Sequence, residues 1–180
     1  MKTFMFVVMA ALLVFGANVA MAQLQQDLHA YEANVAGTAL ELAVGTTTYD
    51  VLAGGTCYTA PADPTGLGVL IDPFTGGESV TQDPSVITGD PFADVQVSIV
   101  MPTILTDGAY LATMSYDGTS GAWTNDGGAI FTFFNPQGTT NVMNLAAGEI
   151  DIFLGGNICV PANVGSTTLT GSAIITCQYQ

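Results

Sequence analysis

The stretch ADVQVSIVM, residues 93 to 101, sets Ala93, Val95, Val97, Ile99 and Met101 on one side and Asp94, Gln96 and Ser98 on the other. A period of two is that of a strand lying over a core. Pro91 and Pro102 bound it, since neither can serve a ladder on both sides. The last ten residues, GSAIITCQYQ, repeat the pattern: Ala173, Ile175, Cys177 and Tyr179 face one way, Ile174, Thr176 and Gln178 the other. Termini fray unless something holds them. A chain stopping on such a strand is therefore expected to use it as part of the core.

Further candidate strands are TALELAV (38–44), TTYDVL (47–52), TCYTA (56–60), GLGVLI (66–71), AYLATMSY (109–116), GAIFTFF (128–134), EIDIFL (149–154), NICV (157–160) and TLTGSAIITCQY (168–179). Between them DPFTGGE, SYDGTSG, TNDGG and NPQG carry the glycine, proline, asparagine and aspartate that turns require. About eight to ten short strands with frequent turns predict an all-β antiparallel sandwich or barrel. Residues 72–92, with Pro73, Pro84 and Pro91, are expected to form an irregular surface crossover. In QLQQDLHAYEANV (23–35), Leu24, Leu28, Tyr31 and Val35 fall at helical spacing, while Tyr31, Ala33 and Val35 also alternate. Helix and extended arm both remain open.

Residues 1–22 have a basic start at Lys2, an apolar run from Phe4 to Phe15 and an Ala20-Met21-Ala22 exit, the features of a secretory signal peptide. The organisation expected is thus 1–22 signal peptide, 23–36 amino-terminal arm and 37–180 β-sandwich, with no membrane span in the mature form. Lys2 is the single Lys or Arg, against 15 Asp and Glu and one histidine, His29. Without cationic side chains the mature chain has almost no ion pairing within itself, and trypsin has no site in it. Nucleic acid and anionic membranes are held chiefly through Lys and Arg, so neither is expected as a partner. Disorder, which high net charge favours, is opposed by 49% apolar and only 9% charged residues.

Three cysteines allow at most one internal disulfide. If Tyr58 faces inward, Cys57 faces out, and if Ile158 and Val160 face inward, so does Cys159 face out; Cys177 shares the side of Ile175 and Tyr179. Alternation therefore favours Cys57–Cys159 with Cys177 a buried thiol, while Cys57–Cys177 and no bridge stay open. Cys159–Cys177 is disfavoured because a hairpin turning near Val164 would set Cys159 opposite about Gly171. A bridge closing so long a loop stabilises by at most about 4 to 5 kcal/mol. The segments LAGGTCYTAPAD (52–63) and LGGNICVPANV (154–164) echo each other, running from a glycine pair through a cysteine to Pro-Ala. Two copies do not make a repeat architecture, but they imply two similar settings.

The catalytic inventory is thin, and no enzymatic role is expected. Nucleophilic triads need an imidazole, and His29 is the only one. G-x-S-x-G and Walker-type motifs do not occur, and a lone histidine with three scattered cysteines does not form a zinc set. The acids stand singly in turns, as at Asp117, Asp126 and Asp151, rather than paired for glycoside hydrolysis. No cofactor is expected. Calcium is the one ligand the turns suit, through Asp117, Asp126 and the acids of the crossover, Asp72, Glu78, Asp83 and Asp90, although no EF-hand loop is present.

The stretch GGNICVPANVGSTTLTGSAIITCQYQ resembles the final hairpin of an uncharacterised family of secreted bacterial β-sandwich domains. GDPFADVQVSIVMPTIL (89–105) resembles that family's proline-terminated strand. Tyr179 and the ending QYQ are also similar to the carboxyl end of chaperone–usher fimbrial subunits, with Thr167 standing where those carry a glycine. These resemblances imply an immunoglobulin-like sandwich, a structural or adhesive role, and no active site. The function expected is a structural subunit of an extracellular bacterial filament or surface layer. Like subunits would be its partners, linked through the arm at Leu24, Leu28, Tyr31 and Val35, with a secretion chaperone as a further partner. The alternative is a monomeric secreted carbohydrate- or cell-surface-binding module, with Trp123 and Tyr116 as stacking rings.

Overall fold

The computed structural model describes residues 38–50, 52–63 and 79–180, and among these all regular structure is β. Its strands are β1 (Glu41–Ala43), β2 (Thr47–Asp50), β3 (Thr56–Ala60), β4 (Ser79–Gln82), β5 (Ser85–Thr88), β6 (Asp94–Val100), β7 (Ile104–Thr106), β8 (Leu111–Ser115), β9 (Gly121–Thr124), β10 (Thr132–Phe134), β11 (Thr140–Asn144), β12 (Glu149–Leu154), β13 (Gly156–Val160) and β14 (Ile174–Tyr179). They pair antiparallel into a five-stranded sheet β1-β5-β12-β9-β10, a three-stranded sheet β11-β6-β14, a four-stranded sheet β3-β13-β8-β7 and a two-stranded β2-β4. Thr170 exchanges two backbone hydrogen bonds with Thr106 of β7, at 2.9 and 3.0 Å, so the run into β14 ties the three-stranded sheet to the four-stranded one.

The main core lies where the five-stranded and three-stranded sheets face each other. Leu42, Ile87, Ile150 and Ile152 from one meet Val95, Val97, Ile99, Met143, Ile175 and Cys177 from the other, all buried. The alternation of 93–101 is what makes this possible: each inward residue of β6 is fully shielded, while Asp94 and Val100 are exposed. A smaller cluster of Tyr58, Ala112, Ile158 and Val160 covers the inner side of the four-stranded sheet. Among the described residues every buried side-chain nitrogen or oxygen has a partner, as burial of polar groups demands.

The strands are more numerous and shorter than the sequence pattern predicts. The crossover expected to be irregular carries β4 and β5, separated at Pro84, and β5 sits inside the main sheet between β1 and β12. The strand expected over 128–134 is confined to Thr132–Phe134, because Gly127 and Gly128 take left-handed φ of 70° and 95° in the preceding loop. The strand expected over 168–179 holds its ladder only from Ile174. The candidate 66–71 lies outside the described residues.

The hairpin expected at the carboxyl end is not formed. β13 pairs with β3 and β8, whereas β14 pairs with β6 along Ile174↔Val100 to Tyr179↔Val95. The chain between them, 161 to 173, carries it from one sheet to the other.

Candidate functional site

The arm residues Leu24, Leu28, Tyr31 and Val35 lie outside the described residues, as does His29. Asp72 and Glu78 lie outside them too, and the other expected positions are placed. Cys57 and Cys159 stand directly opposite each other on β3 and β13 and form a disulfide, a sequence separation of 102 closed between neighbouring strands. Both face the outer side of the four-stranded sheet, since Tyr58, Ile158 and Val160 take the inner side. Cys177 is free and buried in the main core, which pushes its thiol up to about 12.

The two echoing segments are partners of each other. In an antiparallel pair, the start of each strand lies beside the end of the other, so each glycine pair meets the other segment's Pro-Ala. Gly55 N donates to Val160 O at 2.8 Å, and a Cβ on Gly155 would stand 2.2 Å from Ala60 O. Only glycine fits that approach.

Ala173, Ile175, Cys177 and Tyr179 all face the main core. Tyr179 also closes a clasp. Its hydroxyl donates to Thr38 O at 3.1 Å and accepts from Asp90 N at 2.8 Å, while Asp90 Oδ1 accepts from Thr38 N at 3.0 Å. Hydrogen bonds from the side chain and amide of Thr38 hold the Asp90 carboxyl below its usual range. The clasp joins the chain entering β1, the turn between β5 and β6, and the end of β14. Gly89 makes room for it, since a Cβ there would fall 2.3 Å from the Tyr179 hydroxyl.

In the same turn, Asp90-Pro91-Phe92-Ala93, Ala93 N donates to Asp90 O at 3.2 Å and Phe92 has φ 67°. A positive φ at this position is normally given to glycine. Phe92 is nevertheless 78% exposed, an aromatic ring held out to solvent on a strained backbone.

At the opposite end of β1, where Gly45 N donates to Ser85 Oγ at 3.0 Å, a cleft of about 970 Å³ opens between the five-stranded and four-stranded sheets. Tyr49, Leu52, Leu105, Met114, Tyr116 and Leu169 are among its lining residues. Its two phenols are committed: Tyr49 donates to Gly156 O at 3.2 Å and Tyr116 to Pro102 O at 2.6 Å. Burial raises both, Tyr116 to about 12. The lining mixes these side chains with the hydroxyls of Thr47, Ser85, Thr168 and Thr170, and its charged groups are Asp50 and Asp83.

The turn acids serve their own loops. Asp107 accepts from the hydroxyl of Thr167 at 2.6 Å and the amides of Tyr110 and Ala109 at 2.8 and 2.9 Å, which together lower it to about 2. Asp117 accepts from the amide and hydroxyl of Thr119, and Asp126 from the hydroxyl of Thr124 and the amides of Ile130 and Ala129, so both are lowered. Asp83 Oδ2 accepts from the Thr46 hydroxyl. Among the described residues no three His, Cys, Asp or Glu side chains gather where a metal ion could sit. Asp72 and Glu78 lie outside the described residues.

Trp123 and Tyr116 both pack against the main core. The aromatic ring most open on a sheet is Phe133, 51% exposed on the outer side of the five-stranded sheet, a position periodicity did not single out. Among the described residues no helix is long and apolar enough to cross a membrane.

The geometry defines an antiparallel β-sandwich with a disulfide across one sheet, a clasped strand end and a cleft of mixed polarity. No protein-family model matches the chain, and no curated protein and no solved structure matches it either.

Proposed function

We propose that this chain is a structural subunit of an extracellular bacterial filament or surface layer, with an immunoglobulin-like sandwich linked to its neighbours through residues 23–36. The observation that carries the reading is Phe92. An exposed aromatic ring on a strained backbone is a cost that folding does not require, and such outliers cluster where proteins make functional contacts. It stands beside the Thr38–Asp90–Tyr179 clasp, at the end of the sandwich where the arm joins. The cleft is lined by residues at the other end of β1, among them Val44 and Gly45. Two unlike ends suit a head-to-tail contact, which propagates as a filament when its rotation does not close a ring. In this reading the arm residues Leu24, Leu28, Tyr31 and Val35 and the ring of Phe92 make the contact, and a secretion chaperone shields it before assembly.

Electron micrographs of the mature protein, of a chain lacking 23–36 and of Phe92→Gly test the reading. Filaments of the unaltered protein that are lost in both variants support it. Phe92→Gly removes the ring while relaxing the backbone, so its loss of assembly would not reflect unfolding. Filaments unchanged in both variants would remove this end from the contact.

A monomeric carbohydrate-binding module is the second reading, favoured by the open ring of Phe133. Binding of a neutral polysaccharide that Phe133→Ala abolishes, by a protein that stays monomeric, would replace the first reading with this one.

A further inference from the structure

The outer sides of the sheets differ in charge. On the five-stranded sheet, Glu41 and Glu149 flank Thr88 in one row, and Ala43, Val86, Asp151 and Thr124 form the next. Burial and the neighbouring Glu149 push Asp151 up. On the other layer, the register aligns Thr140, Ser98 and Thr176 in one row, and Val142, Gln96 and Gln178 in another. Val100 pairs with Ile174 beyond them. The four-stranded sheet continues with the row Cys57, Cys159, Thr113 and Ile104, then Thr59, Asn157 and Ser115, then Leu111 with Thr106. Among the outward strand positions Asp94 is the one carboxylate, at the end of its strand, with its Oδ1 accepting from Asn144 Nδ2 at 2.7 Å; at the rim, Asp117 bonds to the Asn157 side chain and Asp107 caps the turn from β7 to β8.

This side also exposes aliphatic groups: Val142 at 54%, Leu111 at 55%, Val100 at 53% and Ile104 at 46%. We propose that the outer side of the three- and four-stranded sheets, whose acids stand only at strand ends and turns, is the surface on which a second copy of this chain docks, face to face and with the same rows contributed by both copies.

Charge selects the occupant. The chain holds 15 acids and, apart from Lys2, no Lys or Arg, so two copies repel wherever carboxylates meet and no ion pair can offset it. A side whose acids, Asp94, Asp107 and Asp117, all stand at strand ends and turns brings the middles of two such sheets together with less of that penalty than one with Glu41, Glu149 and Asp151 in its strands. The aliphatic groups then supply burial. The Thr, Ser, Asn and Gln side chains each carry both donors and acceptors, so they satisfy one another across a two-fold contact. A sugar is served less well, because no aromatic ring occupies any of these outward positions. An anionic surface finds no cation here.

The proposal rests on the subunit reading, adding a lateral contact to the end-to-end one. It is tested by sedimentation velocity and electron microscopy of the mature protein, of Val142→Glu and Leu111→Glu, and of Ala43→Glu, which adds the same charge on the acidic side. Circular dichroism establishes that each variant is folded; the substituted residues are all exposed, and either variant on the proposed docking side suffices if the other fails to fold. The expected result is association at least tenfold weaker in Val142→Glu and Leu111→Glu, with Ala43→Glu unchanged. If filaments persist and their lateral pairing is unaffected by both substitutions, this surface is overturned while the subunit reading stands. If the unaltered protein is monomeric throughout and forms no filaments, both are overturned.

Discussion

Around β6 the two layers of the sandwich meet through fully buried aliphatic side chains, among them Val95, Val97, Ile99, Ile150 and Ile152, with no covalent link. Around β3 and β13 the buried cluster is only Tyr58, Ala112, Ile158 and Val160, a cleft opens beside it, and the one disulfide lies across the same pair of strands. The difference teaches how stability is distributed. Where burial is deep, hydrophobic transfer holds the strands; where it is shallow, a cross-link restricts the unfolded chain instead. The half with the smaller cluster thus keeps its shape around an open cleft.

The largest expected effect breaks this comparison at the bridge. Replacing Cys57 and Cys159 together with serine should cost about 4–5 kcal/mol in the chain-entropy account of so long a loop. Guanidinium unfolding with and without reductant measures it. A loss below 1 kcal/mol would mean the smaller cluster holds itself. Next, Ile99→Ala in the main core should cost about 3–4 kcal/mol through lost transfer energy and a residual cavity. A loss much smaller than that would indicate a loosely packed core.

A smaller effect belongs to the clasp. Tyr179→Phe leaves the ring in the core but deprives Asp90 N–H of its acceptor and Thr38 C=O of its donor, and should cost about 1–2 kcal/mol. Thermal unfolding measures it, and an unchanged midpoint would show that water replaces the hydroxyl freely. The smallest effect is at the turn acids. Asp107 is lowered to about 2, first by the Thr167 hydroxyl and then by the Tyr110 and Ala109 amides. Its folded pKa lies below its unfolded value, so its contribution is present above about pH 4 and lost as the pH falls through about 2. The stability difference between the unaltered chain and Asp107→Asn should therefore shrink across that window. A pH-independent difference would contradict the carboxylate's role.

Much of the fold was legible because alternation is local. Ala93 to Met101 declared their inward side without reference to any partner, and the same rule placed Cys57 and Cys159 outward and Cys177 inward, which is why the observed disulfide was the favoured pairing although Cys57–Cys177 and no bridge stayed open. The ground for excluding Cys159–Cys177 was different from the one expected: β13 and β14 belong to different sheets, and no hairpin joins them. Pairing is non-local, and a chain that crosses between sheets through Thr170 leaves no periodic mark. Pro84 concealed β4 and β5 for a related reason, since a proline between two four-residue strands reads as continuous irregularity.

The echo of glycine pair, cysteine and Pro-Ala was legible as similarity but not as contact, because only the antiparallel pairing brings each end against the other. Phe92 was illegible altogether. Nothing in GDPFADV declares that a phenylalanine will take the position a glycine usually holds, and its exposure follows from the turn that the Tyr179 clasp stabilises. Thr167, by contrast, acquired a concrete role, as the donor that anchors the chain between β13 and β14 to Asp107.

Sedimentation velocity of residues 23–180 over a wide concentration range tests the central claim most directly. The account predicts species that grow in multiples of one subunit as concentration rises. A single monomeric boundary at every concentration would contradict it.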